Sequence, residues 1–566
     1  MNTEISGIVF MYALVLLLAI ALGRYIAKVF NNEKTWFDRI ANPLDKVFFK
    51  LSGIDPTREM KWKQHLVALL TINAVWFLLS MFILTNMGWL PLNPDNNPSM
   101  SADLAFNTAI SFVSNTNLQH YSGETSLSYL GQLILMLEQF MSAATGIAIC
   151  AVVFNAMKER RTSTLGNFYN YFVRTCTHIL LPIAFIGALI LLFNGVPMTF
   201  EGKDSVTTLQ GNSGEVYRGP VAAFVAIKQI GTNGGGFYGS NSTNPMENPN
   251  YVTNIVETLF IFLIPISMVF AMGHMLKRKK LAWVIYGVMT VGFLCLVIPA
   301  VTLEMHGNPV ISAMGIDQSS GNMEGKEVRF GSAASAYWAI NTTVTSNGSV
   351  NAMHDSLMPL SGMLTLLGMM VNSFYGGVGV GFLNFYIFII LAVFISGLMV
   401  GRTPELLGKK IETKEMKIAM IIALLHPFMI LCGTALSSYL YANNPGAYAG
   451  WLNNPGYHGF SEMLYEMSSS AANNGSGFEG LGDNTPFWNI LCGIIMLICR
   501  YLPIIGPVAT AGTLAKKKYI PESAGTLKVD TATFGLMIFA VIVIIAALSF
   551  FPALTLGPIA EHFALY

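Results

Sequence analysis

Ten runs of about twenty or more mostly apolar residues leave this chain little freedom in how it folds. The hydrocarbon of a bilayer offers no water to peptide groups, so each run must satisfy its backbone internally, as a helix. The runs cover 6–28, 65–86, 128–155, 173–195, 253–276, 281–303, 357–400, 416–440, 486–512 and 532–553. With 53% hydrophobic and only 11% charged residues among 566, the expected class is an all-α polytopic membrane protein. The first run, GIVFMYALVLLLAIALGRYIAKVF, meets its first positive charge at Arg24, after the apolar stretch, which fits a spanning helix rather than a cleavable signal. A net charge of +1 argues against a nucleic-acid partner, and the membrane lipid is the expected surroundings. Six cysteines, in or beside the apolar runs and at no metal-ligand spacing, read as plain core thiols.

Orientation follows from the basic residues. With the N-terminus outside, 27 of the 32 Lys and Arg fall in or beside inside segments, among them KERR from Lys158, KRKK from Lys277 and KKK from Lys516. That asymmetry is the one cytoplasmic loops carry.

Four of the outside loops hold a segment of roughly a dozen moderately apolar residues, too short to span, that ends in a small-polar stretch. They are LAFNTAISFVSNTNLQHYSGE, VAAFVAIKQIGTNGGGF, AASAYWAINTTVTSNGSVN and FSEMLYEMSSSAANNGSGF. Each sits between two spanning runs, so helix, half-helix, polar loop and helix recur four times. Aligning the polar tips sets Asn115 and Thr116 beside Asn233 and Gly234, Asn347 and Gly348, and Asn474 and Gly475, with one residue of slippage open in the first tip, which has no glycine. The separations are 118, 114 and 127 residues.

Irregular backbone at membrane depth survives only inside protein or beside a water-filled cavity. Four such tips in pseudo-fourfold arrangement, like a potassium channel, would form a ring of oxygens able to replace a cation's hydration shell. The expected ligand set is Asn115, Thr116 and Asn117; Thr232, Asn233 and Gly234; Ser346, Asn347 and Gly348; and Asn473, Asn474 and Gly475. Gln119, Gly235 and Gly236 stand next to it and are expected to tune affinity. The tips contain no Asp or Glu, whereas divalent sites recruit carboxylates, so a monovalent ion is favoured and K⁺ first. Glu124 and Glu479 read as solvated rim residues, and the glycosylation sequons at Asn241, Asn341, Asn347 and Asn474 as accidental.

The stretches SNTNLQ, GTNGGGF, NTTVTSNGSVN, SSSAANNGSGF and GRTPELLGKKIE resemble the KdpA family, the potassium-binding subunits of bacterial Kdp ATPases, over essentially the whole chain. The resemblance implies four fused repeats, as in the TrkH, KtrB and HKT transporters, with one added helix at each end. It also implies a bacterial plasma-membrane location and partners: a P-type ATPase subunit (KdpB), a single-span subunit (KdpC) and in some cases a short accessory peptide. The expected division is a leading helix and loop over 1–64, repeats over 65–165, 166–280, 281–415 and 416–520, and a closing helix over 521–566. No DKTGT phosphorylation motif or phosphate-binding GxxxxGK[ST] loop occurs, so the chain is expected to be non-catalytic. A stand-alone channel or gradient-driven transporter, and an ion-sensing module, remain open alternatives at this stage.

Two further features bear on the ion's path. The seventh run is about twice the length of one crossing, and Gly376, Gly377, Gly379 and Gly381 in VNSFYGGVGVGFLNF make regular helix there costly, about 1 kcal/mol each relative to Ala. A break is expected there, beneath the tips, with close helix packing as the alternative use of the glycines. Arg500 lies deep in the ninth run, where a charge is expensive and usually faces a cavity, with a snorkelling anchor as the alternative; Arg402 lies nearer the inner surface, where a topogenic role is an equal alternative. The resemblance places both arginines near the ion path.

Overall fold

The computed structural model describes residues 3–399, 401, 403–521 and 528–565. The apolar runs fold as helices α1 (Thr3–Phe30), α3 (Trp62–Asn86), α5 (Tyr129–Lys158), α6 (Phe168–Phe193), α8 (Tyr251–Met275), α9 (Lys279–His306), α12 (Val380–Met399), α13 (Thr413–Asn443), α15 (Pro486–Lys516) and α16 (Ala532–Leu554). Ten candidate spans result among the described residues, as the hydropathy pattern requires. The half-helices are α4 (Ala102–Val113), α7 (Val221–Ile230), α10 (Gly331–Val344) and α14 (Tyr457–Ala472). The seventh run is indeed broken: α11 (Pro359–Val371) stops at Asn372, which takes a left-handed conformation (φ 44°), and α12 starts only at Val380.

Each half-helix packs between the two helices of its own repeat and the last helix of the preceding one. Thus α7 touches α6, α8 and α5; α10 touches α9, α11 and α8; and α14 touches α13, α15 and α11. The cycle closes because α4 packs on α3, α5 and α15, the last helix of the fourth repeat. Four repeats therefore form a ring with the half-helices inside. The first and last spanning helices lie outside it, α1 chiefly along α8 and α16 along α9 and α12.

The basic loops gather on one face. Thr162 N–H donates to Ala515 O (2.8 Å), Ile520 N–H to Gly408 O (2.8 Å) and Lys409 Nζ to Ala156 O (2.8 Å). The half-helices open from the opposite face.

A helix before α3 and a hairpin between α6 and α7 are among the elements with no counterpart in the sequence reading. Helix α2 (Asp38–Ser52) exposes Ile40, Val47, Phe48 and Leu51 while burying Ala41 and Asp45. Its Asp45 carboxylate is held by His178 Nε2 (2.9 Å) on a π-helical turn of α6. Apolar side chains interleaved with Arg39, Lys46 and Lys50 are the pattern of a helix lying on a membrane surface, which a search for spans passes over. A short antiparallel hairpin, β1 (Asp204–Thr207) and β2 (Ser213–Val216), occupies the loop between α6 and α7.

The α1–α8 contact depends on one small residue. A Cβ on Gly23 would stand 2.7 Å from both Ser267 O and Phe270 Cβ. Gly23→Val should therefore force the helices apart at a cost of about 1–3 kcal/mol. Gly287→Val, where nothing lies within 4 Å, should be near neutral. Thermal unfolding of the detergent-solubilised proteins, followed by tryptophan fluorescence, checks the difference.

Candidate ion site at the half-helix tips

The four half-helices end alike. At each end one residue adopts a left-handed conformation: Asn115 (φ 63°), Thr232 (48°) and Ser346 (48°), each just after its cap, and Asn473 (52°), which is itself the cap. The next amide reaches back five residues, Thr116 to Ser111 O (2.8 Å), Asn233 to Lys228 O (2.9 Å), Asn347 to Thr342 O (2.9 Å) and Asn474 to Ser469 O (2.9 Å). This satisfies carbonyls that a helix end leaves open and turns the chain sharply. It also fixes the register, with Thr116 as the equivalent of Asn233, Asn347 and Asn474. The first tip is thus displaced by one residue from the alignment that matched Asn115 to Asn233. Asn117 (φ 58°) takes the left-handed position that Gly348 (88°) and Gly475 (101°) take in their tips, and asparagine tolerates that region better than most side chains. That is why the first tip manages without glycine.

The tips converge backbone to backbone. A Cβ on Gly234 would lie 2.8 Å from Thr116 O, 2.9 Å from Asn474 O and 2.9 Å from Gly475 Cα. One on Gly348 would collide with Asn474 O, and one on Gly475 with Thr116 O. Asparagine side chains tie neighbouring tips together: Asn115 Nδ2 to Gly231 O (3.0 Å) and Thr232 O (3.1 Å), Asn233 Nδ2 to Asn115 Oδ1 (2.7 Å), Asn474 Nδ2 to Thr342 O (2.8 Å) and Asn473 Nδ2 to Thr116 Oγ1 (3.0 Å). All four half-helices point their C-terminal ends, the negative poles of their dipoles, at this centre. The candidate ligand residues are buried apart from the half-buried Gly475, and none is acidic.

Behind the second tip lies a charged brace. Lys228, fully buried on α7, donates to Glu247 (2.6 Å), Asn241 Oδ1 (2.8 Å) and Ser242 Oγ (2.8 Å). Asn241 Nδ2 in turn donates to Gly234 O (2.6 Å), so the ion pair fixes the direction of a tip carbonyl. Gln119 grips Gly236 at both ends, through its carbonyl (3.0 Å) and its amide (2.9 Å), and Gln139 holds Gly235 O (3.1 Å). Between the first and fourth repeats, His120 bridges Glu466 (3.0 Å) and Asn489 (2.6 Å). Burial works against a charge on His120, but Asp483, Cys492 and Glu466 outweigh it and hold its pKa well above the usual histidine value.

Glu124 and Glu479 are not simply solvated rim residues. Glu124 accepts the Gly239 amide (2.8 Å), and Glu479 accepts those of His354 (3.3 Å) and Asp355 (3.0 Å), so both tie one repeat's outer loop to the next. Lys228 was legible in part, since a lysine inside a short apolar half-helix is an oddity; nothing in the sequence pointed to the role of Asn241.

The broken segment sits directly under the tips. Val378 N–H donates to Thr232 Oγ1 (2.9 Å), Gly376 N–H to Val344 O (2.8 Å), Ser346 Oγ to Asn372 Oδ1 (2.8 Å) and Asn372 Nδ2 to Ala472 O (3.3 Å). Three of the four tips therefore rest on it. Its glycines also serve close packing: Gly376 and Gly381 face each other backbone to backbone, and Gly379 abuts Gly146 of α5. Gly377 lies below the second and third tips, its Cβ position 3.5 Å from Ser346 Cβ and 3.9 Å from Thr232 Oγ1. Tyr375 (φ 69°) is anchored by its hydroxyl to Tyr12 of α1 (2.6 Å) and Thr290 of α9 (2.9 Å), contacts that no sequence signal announced. Arg500 is buried beside this loop, its Nη2 3.5 Å from where a Cβ on Gly146 would stand, and it forms no salt bridge among the described residues. Arg402 lies outside the described residues.

The family model described as potassium-transporting ATPase A subunit, KdpA, matches residues 9–563. The chain belongs to this family. The potassium-transporting ATPase potassium-binding subunit of Flavobacterium psychrophilum is 65% identical over 100% of both chains. The subunits so named in Bacteroides thetaiotaomicron (59%, 100% of both) and Geobacillus kaustophilus (46%, 97% of both) are also similar. The crystal structure of the potassium transporter TrkH from Vibrio parahaemolyticus aligns with a TM-score of 0.48 and 15% identity over 89% of this chain and 98% of that one. The closed ring of this KdpA-family chain is established by its own helix contacts.

Lys228→Met would leave Glu247 as an uncompensated buried charge, a loss of about 3–5 kcal/mol. The double variant Lys228→Met/Glu247→Gln should recover much of it. Melting temperatures of the three proteins in one detergent give the comparison.

Proposed function

We propose that this chain is the potassium-binding and selecting subunit of an ATP-driven uptake complex in the bacterial plasma membrane, with its N-terminus and tips outside. The carrying observation is the convergence of four half-helix ends on one centre lined by backbone carbonyls, with glycines at the contacts and no carboxylate among them. Neutral carbonyl dipoles and four negative helix poles suit a dehydrated monovalent cation, K⁺. The relatives' names support the same ion and an ATPase complex, with a KdpB-like pump subunit, a KdpC-like subunit and a small accessory peptide as partners. In this reading the chain itself hydrolyses no ATP.

The broken segment and Arg500 then act together as the barrier below the filter. A fixed positive charge against the loop disfavours a K⁺ ion continuing straight through. A cavity of about 50 Å³ lies to one side, walled by α12, α13, α15 and α16; Asn372, Asn384 and His426 reach it among mostly apolar side chains, and its position supports a sideways exit.

Gly234→Asp adds both a clash and a charge at the tip contact. It should raise the K⁺ concentration needed for half-maximal uptake at least tenfold and relax discrimination against Rb⁺ and Na⁺, in cells lacking other K⁺ systems. Gln119→Arg should give a milder loss of affinity, since it sits beside the ring. Unchanged ion preference in a normally expressed Gly234→Asp protein removes the filter assignment.

Arg500→Ala should convert coupled uptake into passive K⁺ leak in vesicles without ATP, and deletion of 376–381 should do the same. Wild-type coupling without leak in both proteins places the barrier elsewhere.

A further inference from the structure

The outer ends of the third and fourth repeats meet the last segment of the chain in a compact cluster of Asp355, Asn454, His458, Glu462 and Glu561. His458, in the first turn of α14, places Nε2 2.9 Å from Asp355 Oδ1 and Nδ1 2.8 Å from Glu561 Oε1. Glu462 follows four residues later, on the same face of the helix. It is fully buried, yet its Oε2 has no hydrogen-bond partner among the described residues, and its Oε1 meets only the Asn454 amide at 3.4 Å. Three carboxylates thus share one imidazole, and no Lys or Arg pairs with them among the described residues. Even a protonated His458 leaves an excess of negative charge in a largely buried place, which is costly without a cation.

We propose that Asp355, His458 and Glu462 form a binding site for a divalent transition-metal ion of the zinc type. Ligating atoms of the three residues lie within 4.8 Å of one another. Around a tetrahedral ion with bonds of 2.0–2.1 Å, ligand atoms stand about 3.3 Å apart, so the His458–Asp355 pair is already near its place and Glu462 needs a small swing. Nε2 is the metal-binding nitrogen. Nδ1–H donates to Glu561, the carboxylate–histidine–metal relay that sets ring orientation and raises the basicity of the ligand. The unpartnered Glu462 oxygen supplies the third ligand, and water or the Asn454 carbonyl oxygen the fourth. One imidazole with two carboxylates favours Zn²⁺ or Mn²⁺ over Mg²⁺, which demands near-octahedral oxygen coordination.

The site is reachable from the face that carries the tips, since the side chains of His458 and Glu561 are 19% and 22% exposed. Asp355 N–H donates to Glu479, just past the fourth tip, so a bound ion would stitch the C-terminal segment to the backs of the third and fourth tips.

The test uses the intact complex, stripped with a chelator and titrated with Zn²⁺ by calorimetry and with Co²⁺ by visible absorption. The expected result is one equivalent per chain, with the intense bands of tetrahedral Co²⁺. Affinity should fall a hundredfold or more in His458→Ala and in Glu462→Gln, and about tenfold, at unchanged stoichiometry, in Glu561→Gln. Asp355→Asn provides a third ligand variant should either of the first two not yield a monodisperse complex. Binding of undiminished affinity in the ligand variants, or none to the wild type at millimolar metal, overturns the site. Potassium uptake is not a readout in this experiment, so its outcome is independent of the filter reading.

Discussion

A helix that stops halfway through a membrane leaves peptide groups where no water can reach them, and four such ends set the rest of this structure. Each could exist only if its open carbonyls were answered by the chain itself or by an ion. The back-reaching amides of Thr116, Asn233, Asn347 and Asn474 answer some of them. The others gather at one centre, where neighbouring tips press against each other so closely that only glycine, or an asparagine in the left-handed region, fits. The eight spanning helices of the four repeats form the wall around this centre, with the half-helices inside.

Holding four loops in one geometry takes more than their own hydrogen bonds. The chain buries charge to do it: Lys228 with Glu247 behind the second tip, Lys326 with Glu304 (2.9 Å) within the third repeat, and His120 with Glu466 between the first and fourth. Such pairs contribute little net stability compared with apolar packing, because desolvation offsets the attraction. Their value here is directional. Asn241, oriented by Lys228, decides where the Gly234 carbonyl points, and an apolar substitute could not.

The broken seventh helix answers a related problem beneath the tips. Its loop joins the second, third and fourth tips through Thr232, Ser346, Val344 and Ala472. Tyr375 holds a left-handed conformation there because Tyr12 and Thr290 fasten its hydroxyl. The outermost helix α1 therefore reaches, through one side chain, the segment on which the tips rest.

Hydropathy alone determined the ten spanning helices, since a twenty-residue apolar run in a bilayer has one way to satisfy its backbone. The fourfold recurrence of short half-helices and polar tips, and the break at the cluster of four glycines, were equally plain, because both are local patterns of length and composition. Helix α2 and the hairpin were not, being neither long nor apolar. The sequence could not set the register of the first tip, for Asn117 does the work of a glycine only in the conformation the fold imposes on it. Nor could it pair Lys228 with Glu247, Asn241 with Gly234, or Tyr12 with Tyr375, which lie 19, 7 and 363 residues apart. The first two partnerships are settled when the loop after the second tip folds back on α7, and the third when α1 lies against the ring, because such contacts are decided by packing, which no local pattern encodes.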